Sequence, residues 1–391
     1  MTILTRLLGA VRYIIKKADM VLLGLCLVCT AFGIVLIASA TNYLGPSTQM
    51  HRVIIQAAGA VLGVGAYFIL SSIDVEHLCE KWWWLFFLFG LGFIAMLRWF
   101  GVGEETTGNK AWLAIPGFPV QIQPAEVVKL TYTILMAKQL AWFRDNRRMR
   151  GLGSLVLPAG HAAVMFVWIY LFSKDAGSGL VYLVIYAGMA LAAGLAWYWF
   201  VLGIGGLGVG IGLLAVFEKL PTYWLNRFRV IFDHSFDPRG VGWQQTRGML
   251  ALGSGGLFGQ GLFKGIQTQS SDSFSLPARQ TDFIFCVCGE ELGMAGCLVI
   301  IILEFLLVYR CFQTARLAKS SMDALICVGF ATMLIFQALE NIGMCLFVMP
   351  VIGLTLPFFS YGGSSIVTLF TAMGMVSGVR SRTLPDWLRK T

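Results

Sequence analysis

The chain repeats one pattern from end to end: an apolar run of about twenty residues, then a short polar break. Wound as helix at about 1.5 Å per residue, such a run matches the hydrocarbon thickness of a bilayer. Ten are expected, near 19–40, 52–72, 82–100, 122–143, 154–173, 177–197, 198–217, 283–309, 324–347 and 362–380. The stretch 177–217 has no polar break, only glycines at Gly203, Gly205, Gly206, Gly208, Gly210 and Gly212, and a turn near Trp197 is expected to divide it. Of 391 residues 57% are hydrophobic and 13% charged, about half the charged share of an ordinary soluble domain. The expected fold class is an all-α integral membrane protein with about ten transmembrane helices. It is read as one polytopic membrane domain over 1–391, with a large extracellular loop at about 218–282 between helices 7 and 8.

Lys and Arg orient it, because cytoplasmic loops carry the excess of cations. With the N-terminus inside, the inner segments hold Arg6, Arg12, Lys16, Lys17, Lys81, Arg144, Arg147, Arg148, Arg150, Arg310, Arg316, Lys319, Arg380, Arg382, Arg389 and Lys390. The short outer loops hold only Arg52, Lys110 and Lys174, with Arg98 near an outer helix end. Both termini are therefore expected to be cytoplasmic. The formal charge of +9 reports topology and contact with anionic membrane lipids, not nucleic acid. The first run follows four cations and is long enough to span, so it reads as a retained helix and not a cleaved leader.

The nine cysteines fall almost all in apolar runs, which argues against a disulfide framework. Cys26 and Cys29 form a CxxC inside a span, with no second pair. The four histidines are scattered without metal-ligand spacing.

Function is sought where polar groups are costly, since lipid cannot solvate an ionisable side chain. Four places qualify. In QIQPAEVVKL, Glu126 and Lys129 are three apart and share a helix face; they form a helix-start ion pair, a charged cavity wall, or both. In KDAGSG, Asp175 is a turn cap or a site residue. In GEELG, Glu290 and Glu291 point about 100° apart, so one at least should face a polar interior, either to bond a neighbouring helix or to act in chemistry. The outer loop carries Arg227, Arg229, Arg239, Arg247, Lys264 and Arg279 around a glycine-rich stretch, 253–261. That stretch lacks the GK[ST] of a phosphate loop and the strand–turn–helix setting of a dinucleotide fingerprint. Its glycines suit close approach of backbone to backbone or to a substrate. Its arginines are a solvated face or a clamp for an anionic head group, the clamp favoured for Arg229 and Arg247. Last, Asp282 stands where the polar loop SLPARQT meets the eighth apolar run, on the outer side.

Several of these motifs together resemble the SEDS family (shape, elongation, division and sporulation), the group containing RodA and FtsW. The resemblance runs from the first helix to about Arg382. It rests on QPAEVVKL at 123–130, GWQQTRGMLALGSGGLFGQG at 242–261, LPARQTDFIF at 276–285, GEELG at 289–293 and MPVIGLTLPFFSYGGSS at 349–365. In the last, Pro350, Gly353, Pro357, Ser360, Tyr361, Gly362, Gly363 and Ser364 fall as the family has them. Departures are Ala125 where the family usually has serine, Ala278 for a glutamate, Gln280 for a frequent histidine, and Gln260 for a lysine. The resemblance implies a ten-helix peptidoglycan glycosyltransferase of the bacterial cytoplasmic membrane. It would polymerise lipid II into glycan strands on the outer face during elongation or division, beside a class B penicillin-binding protein that crosslinks them. It implies a catalytic role for Asp282 and maps the family's Glu–Lys pair and tryptophan onto Glu126, Lys129 and Trp112.

The chemistry suits these residues. A sugar hydroxyl attacks an anomeric carbon, the diphosphate leaves, and configuration inverts. Asp282 is the candidate base, reaching sugar while the lipid tails stay in the bilayer. Burial would raise its pKa and Arg279 would lower it. Candidate substrate-binding residues are Trp112, Glu126, Lys129, Asp175, Arg229, Arg247, Lys264, Glu290 and Ser364, with the cations against the diphosphate. No cofactor or metal motif is seen; a divalent ion held between Asp282 and the diphosphate stays open. The alternatives are a lipid II flippase, which needs a polar path to the inner leaflet, and a scaffold for the transpeptidase, which would not need Asp282.

Overall fold

The computed structural model describes residues 17–103, 109–114, 121–149, 151–216, 222–233, 242–272 and 275–383. The expected Arg6, Arg12, Lys16, Arg150, Arg239, Arg389 and Lys390 lie outside the described residues, as do parts of the 218–282 loop. Helices come in chain order: α1 (Met20–Thr41), α2 (Pro46–Ser72), α3 (Val75–Ala95), a short α4 (Leu97–Phe100), α5 (Pro124–Asp145), α6 (Leu152–Ser173), α7 (Ala176–Ala193) and α8 (Trp197–Val216). Three helices then lie in the long loop: α9 (Thr222–Phe232), α10 (Trp243–Gly255) and α11 (Ile266–Gln269). The chain closes with α12 (Ile284–Leu317), α13 (Ser321–Cys345) and α14 (Gly363–Thr383). The described strands are β1 (Gly101–Val102) and β2 (Trp112–Leu113), paired antiparallel.

Seven of these helices are long and apolar enough to cross a membrane: α1, α2, α3 with α4, α6, α7, α12 and α13. The long helices α5, α8 and α14 fall where the other three runs were expected. The protein is an all-α, multi-pass membrane protein. One boundary differs from expectation. The third helix begins at Val75, not near 82, because Asp74 caps it by accepting from the His77 N–H at 3.2 Å. The break between α7 and α8 falls where it was expected, just before Trp197: Gly194 ends α7 in the left-handed region at φ +100°, and α8 starts at Trp197.

Close backbone contact sets the packing. On α2, a Cβ at Gly59 would lie 2.7 Å from Ile366 and one at Gly63 2.8 Å from Phe370, so the two glycines let α2 and α14 meet along their length. At one end of the bundle the start of α1 meets the far ends of α12 and α14: Asp19 accepts from Arg310 at 2.8 Å and pairs with Arg380 at 3.4 Å. The opposite end gathers the starts of α5, α7, α12 and α14, and the candidate residues lie there. All nine cysteines are free and buried.

Candidate active site

Asp282 is held by its backbone, and its carboxyl faces the Thr281 hydroxyl. Its carbonyl accepts from Asn341 Nδ2 at 2.8 Å, and the same amide donates to the Leu354 carbonyl at 2.8 Å. One residue earlier, the Thr281 carbonyl accepts from Ser360 Oγ at 2.6 Å, and the Gln280 carbonyl accepts from the Tyr361 N–H at 2.8 Å. The 349–365 motif thus folds back as a clamp on the TD dipeptide. Gly353 stands beside the carboxyl at φ +77°, and a Cβ there would lie 3.7 Å from Asp282 Oδ2. The side chain is half-buried. Burial pushes its carboxyl up to about 6; the Thr281 hydroxyl opposes this and the charge of Asp175 adds to it. Arg279 is not a cause of that value. Its guanidinium is turned away, donating to the carbonyls of Leu276, Thr268 and Ser270 and to Ser275 Oγ, and stacking on Tyr43 at 3.8 Å. Of the two opposed influences, burial wins.

A second group forms one wall. Gln123, just before α5, donates through Nε2 to Ser178 Oγ at 3.1 Å and Asp175 Oδ2 at 3.4 Å. Its N–H donates to Ser364 Oγ at 3.4 Å. Asp175 caps α7, accepting from the Ser178 N–H at 3.0 Å and hydroxyl at 2.6 Å; burial raises its carboxyl above the ordinary range. One turn into α5, Lys129 Nζ pairs with Glu126 Oε1 at 2.6 Å, and the residues are only 1% and 5% exposed. Ser365 Oγ reaches the other Glu126 oxygen at 3.4 Å. The structure therefore unites Gln123, Glu126, Lys129, Asp175 and Ser364. The ion pair expected of Glu126 and Lys129 is present, and it neutralises two buried charges beside the cluster.

Glu290 stands apart from this cluster. It is wholly buried and spent on backbone: Oε1 accepts from the Gln267 N–H at 2.7 Å, and Oε2 from the Thr268 N–H at 2.8 Å and hydroxyl at 2.6 Å. Glu291 accepts from Ser39 Oγ, Gln269 Nε2 and the N–H groups of Phe263 and Gly265. These acids cap α11 from a neighbouring helix, so their oxygens serve the loop that folds beneath them. The glycine-rich stretch beside them serves the same end. α12 is broken at Gly293, at φ +68° and ψ −165°. The break frees the carbonyls of Glu290 and Glu291, which accept from Gln260 and Gly261, and the N–H groups of Met294 and Ala295, which donate to Gly256 and Leu257. The glycines place backbone against backbone, one of the two roles open for them.

The other candidates lie apart. Trp112 is half-buried on β2, linked to α5 through the Leu113–Ile122 bridge. Arg229 and Lys264 are exposed, and Arg247 is half-buried on α10. Arg227 reaches the clamp, donating to the Val351 carbonyl. Sequence reasoning also missed Asn341 and its neighbour Glu340. Both sit in the apolar run 324–347, where the rule that flags Glu290 applies equally. Among the described residues no cluster of three or more His, Cys, Asp or Glu could hold a metal ion.

Comparison with known proteins bears on the whole chain. The family described as cell cycle protein, FTSW_RODA_SPOVE, matches residues 19–383. A protein of Trichlorobacter lovleyi named "Probable peptidoglycan glycosyltransferase FtsW" is 31% identical over 368 residues, 93% of each chain. One of the same name from Halomonas elongata is 36% identical over 327 residues, covering 81% of this chain and 80% of that one. Among solved structures, a chain of a peptidoglycan synthase complex that coordinates polymerization and crosslinking superposes with a TM-score of 0.76 at 27% identity, over 94% of this chain and 99% of that one. The rod shape determining protein RodA of Thermus thermophilus gives 0.65 at 26% identity, over 94% and 98%.

Proposed function

The chain belongs to the FtsW/RodA/SpoVE family of cell cycle proteins, and from that premise we propose that it is a peptidoglycan glycosyltransferase polymerising lipid II into glycan strands at the outer face of the bacterial cytoplasmic membrane. The observation that carries the reading is the setting of Asp282: a half-buried carboxyl two residues before a spanning helix, fixed through its backbone, with its pKa raised to about 6. At neutral pH such a group is mostly ionised yet basic enough to accept a proton. The sugar hydroxyl attacks the anomeric carbon, the bond to the diphosphate breaks with its electron pair, and the hydroxyl proton passes to Asp282. Lipid tails stay in the bilayer, because the acid lies at the end of the helix and not along it. Gln123, Asp175 and Ser364 line the same end and orient sugar or peptide hydrogen-bonding groups. The diphosphate takes its compensating charge from the long loop, where Arg227 already meets the clamp. The working partner is a class B penicillin-binding transpeptidase, a reading supported by the synthase complex that the chain superposes on.

The flippase reading loses its support in α12. A path to the inner leaflet would use Glu290, Glu291 and Lys138; the acids are engaged by backbone, hydroxyl and amide donors, and Lys138 donates to the carbonyls of Cys79 and Glu80. The deciding experiment supplies purified protein, with its transpeptidase partner, with labelled lipid II. Long glycan chains are expected; transfer of lipid II across liposomes without polymer would reject the assignment.

A further inference from the structure

Arg52 stands near the start of α2. Further along the same helix, Tyr67 donates to the Asp19 carbonyl at 2.6 Å, at the opposite end of the bundle. Arg52 is thus carried at the end that holds Asp282. Its guanidinium lies over the Tyr361 ring, 5.9 Å from the centroid, and the Tyr361 N–H holds the Gln280 carbonyl at 2.8 Å. One turn along α2, Gln56 is wholly buried and grips the same segment: Nε2 donates to the Ser360 carbonyl at 3.2 Å, and Oε1 accepts from the Gly362 N–H at 3.0 Å. The segment 360–362 therefore meets the Asp282 loop on one side and α2 on the other. Arg52 and Asp282 border one hydrogen-bonded unit.

The cations at this end differ in what their donors hold. Lys129 pairs with Glu126 at 2.6 Å. Arg279 directs its guanidinium to three carbonyls and Ser275 Oγ, and Arg227 donates to the Val351 carbonyl. Arg52 is half-buried, yet its Nη1 is closed to solvent and meets no acceptor among the described residues. A guanidinium stays charged and presents five N–H donors in a planar fork. An aromatic ring against its face leaves the N–H edge for an acceptor. A buried donor without a partner is costly, and an anion whose oxygens match the fork completes the arrangement. Phosphate is such a group.

We propose that Arg52 binds the diphosphate of the polyprenyl-linked sugar substrate, from α2, while Asp282 serves the sugar hydroxyl. The inference rests on the glycosyltransferase reading and names an anchor for the charged group of that substrate. In the reaction the hydroxyl oxygen bonds to the anomeric carbon as its proton passes to Asp282. The bond from that carbon to the diphosphate oxygen breaks, and the diphosphate leaves with the electron pair and one more negative charge. Arg52 exchanges no proton; it opposes the growing charge. It therefore holds the departing polyprenyl diphosphate more tightly than the incoming substrate.

The test is binding, read apart from turnover. The protein with its transpeptidase partner, unsubstituted and as Arg52→Gln and Arg52→Lys, is titrated with undecaprenyl diphosphate, undecaprenol and phosphatidylglycerol, and the shift in melting temperature is followed. Affinity for undecaprenyl diphosphate is expected to fall about tenfold or more in Arg52→Gln, the loss of a charged hydrogen-bond donor. A smaller fall is expected in Arg52→Lys, which keeps the charge but not the fork. Undecaprenol, which has no phosphate, is expected to respond to neither change. Undiminished affinity for the diphosphate in either variant would overturn the proposal. So would an equal loss for undecaprenol, the mark of a disturbed fold, or phosphatidylglycerol matching the diphosphate, the mark of a seat for an ordinary lipid head group. Failure of the glycosyltransferase reading would show differently, as no polymer from lipid II with the unsubstituted protein.

Discussion

Two pairs of acids stand at the same end of the bundle and differ in what their oxygens hold. Glu290 and Glu291 are buried outright, yet they accept from four backbone N–H groups, two hydroxyls and one amide. Asp282 is less buried, and its one hydrogen bond with Asn341 uses its carbonyl and not its carboxyl, while the oxygens of Glu340 face only the Ile352 backbone. The first pair is engaged by the scaffold around it. On the proposed function, Asp282 of the second does the chemistry. Burial alone does not mark a functional acid in a membrane bundle; unspent acceptor capacity does.

Substitutions on the two sides should therefore separate stability from activity. The largest stability effect is expected from Glu291→Ala, which strands the N–H groups of Phe263 and Gly265 and the hydroxyl of Ser39; at about 1–3 kcal/mol per orphaned buried group, a loss of several kcal/mol should appear as a lowered melting temperature in detergent. Gly293→Ala comes next. Its φ of +68° disfavours a side chain, and a Cβ would lie 2.4 Å from the Gly259 nitrogen. A cost of about 2 kcal/mol or more is expected, read by the same melt, with α12 and the loop at 256–261 loosened together in hydrogen exchange. On the reactive side, polymerisation should fall about tenfold between pH 7 and pH 5, since the base is lost as pH falls through a pKa of about 6. The sign for stability is opposite. A carboxyl whose pKa is raised on folding stabilises the fold in its neutral form, and that contribution fades as pH rises through about 6. The smallest effect is expected from Lys264→Gln. Lys264 is exposed, and a change within about 0.5 kcal/mol in the melt would keep it out of the scaffold that Glu290 and Glu291 hold.

The sequence showed the spans well, because length and apolarity are local properties and each helix needs only itself to satisfy its backbone in lipid. It showed Asp282 as well, since a charge at the edge of an apolar run is visible in one dimension. The distinction between the two acid pairs was not visible there. Whether Glu290 is spent depends on the loop 263–268 folding back beneath it, after a helix break at Gly293 that apolar periodicity does not reveal. That Asn341 reaches the Asp282 and Leu354 carbonyls depends on a clamp formed between 280–282 and 349–361. Asn341 and Glu340 stood in the open as polar residues within a spanning run, and the cost of burying them was signal enough to find them. Residue type alone does not tell that Arg227 donates to the Val351 carbonyl of the clamp.

The central claim is that the carboxyl of Asp282 does chemistry and bears no load. Polymerisation of labelled lipid II by Asp282→Asn, with its melting temperature measured on the same preparation at pH 7, tests it most directly. A loss of about a hundredfold or more in rate, with melting at or above that of the unsubstituted protein, is the expected result. Polymer within a few-fold of the unsubstituted rate, or a loss that tracks a collapse in melting temperature, would contradict it.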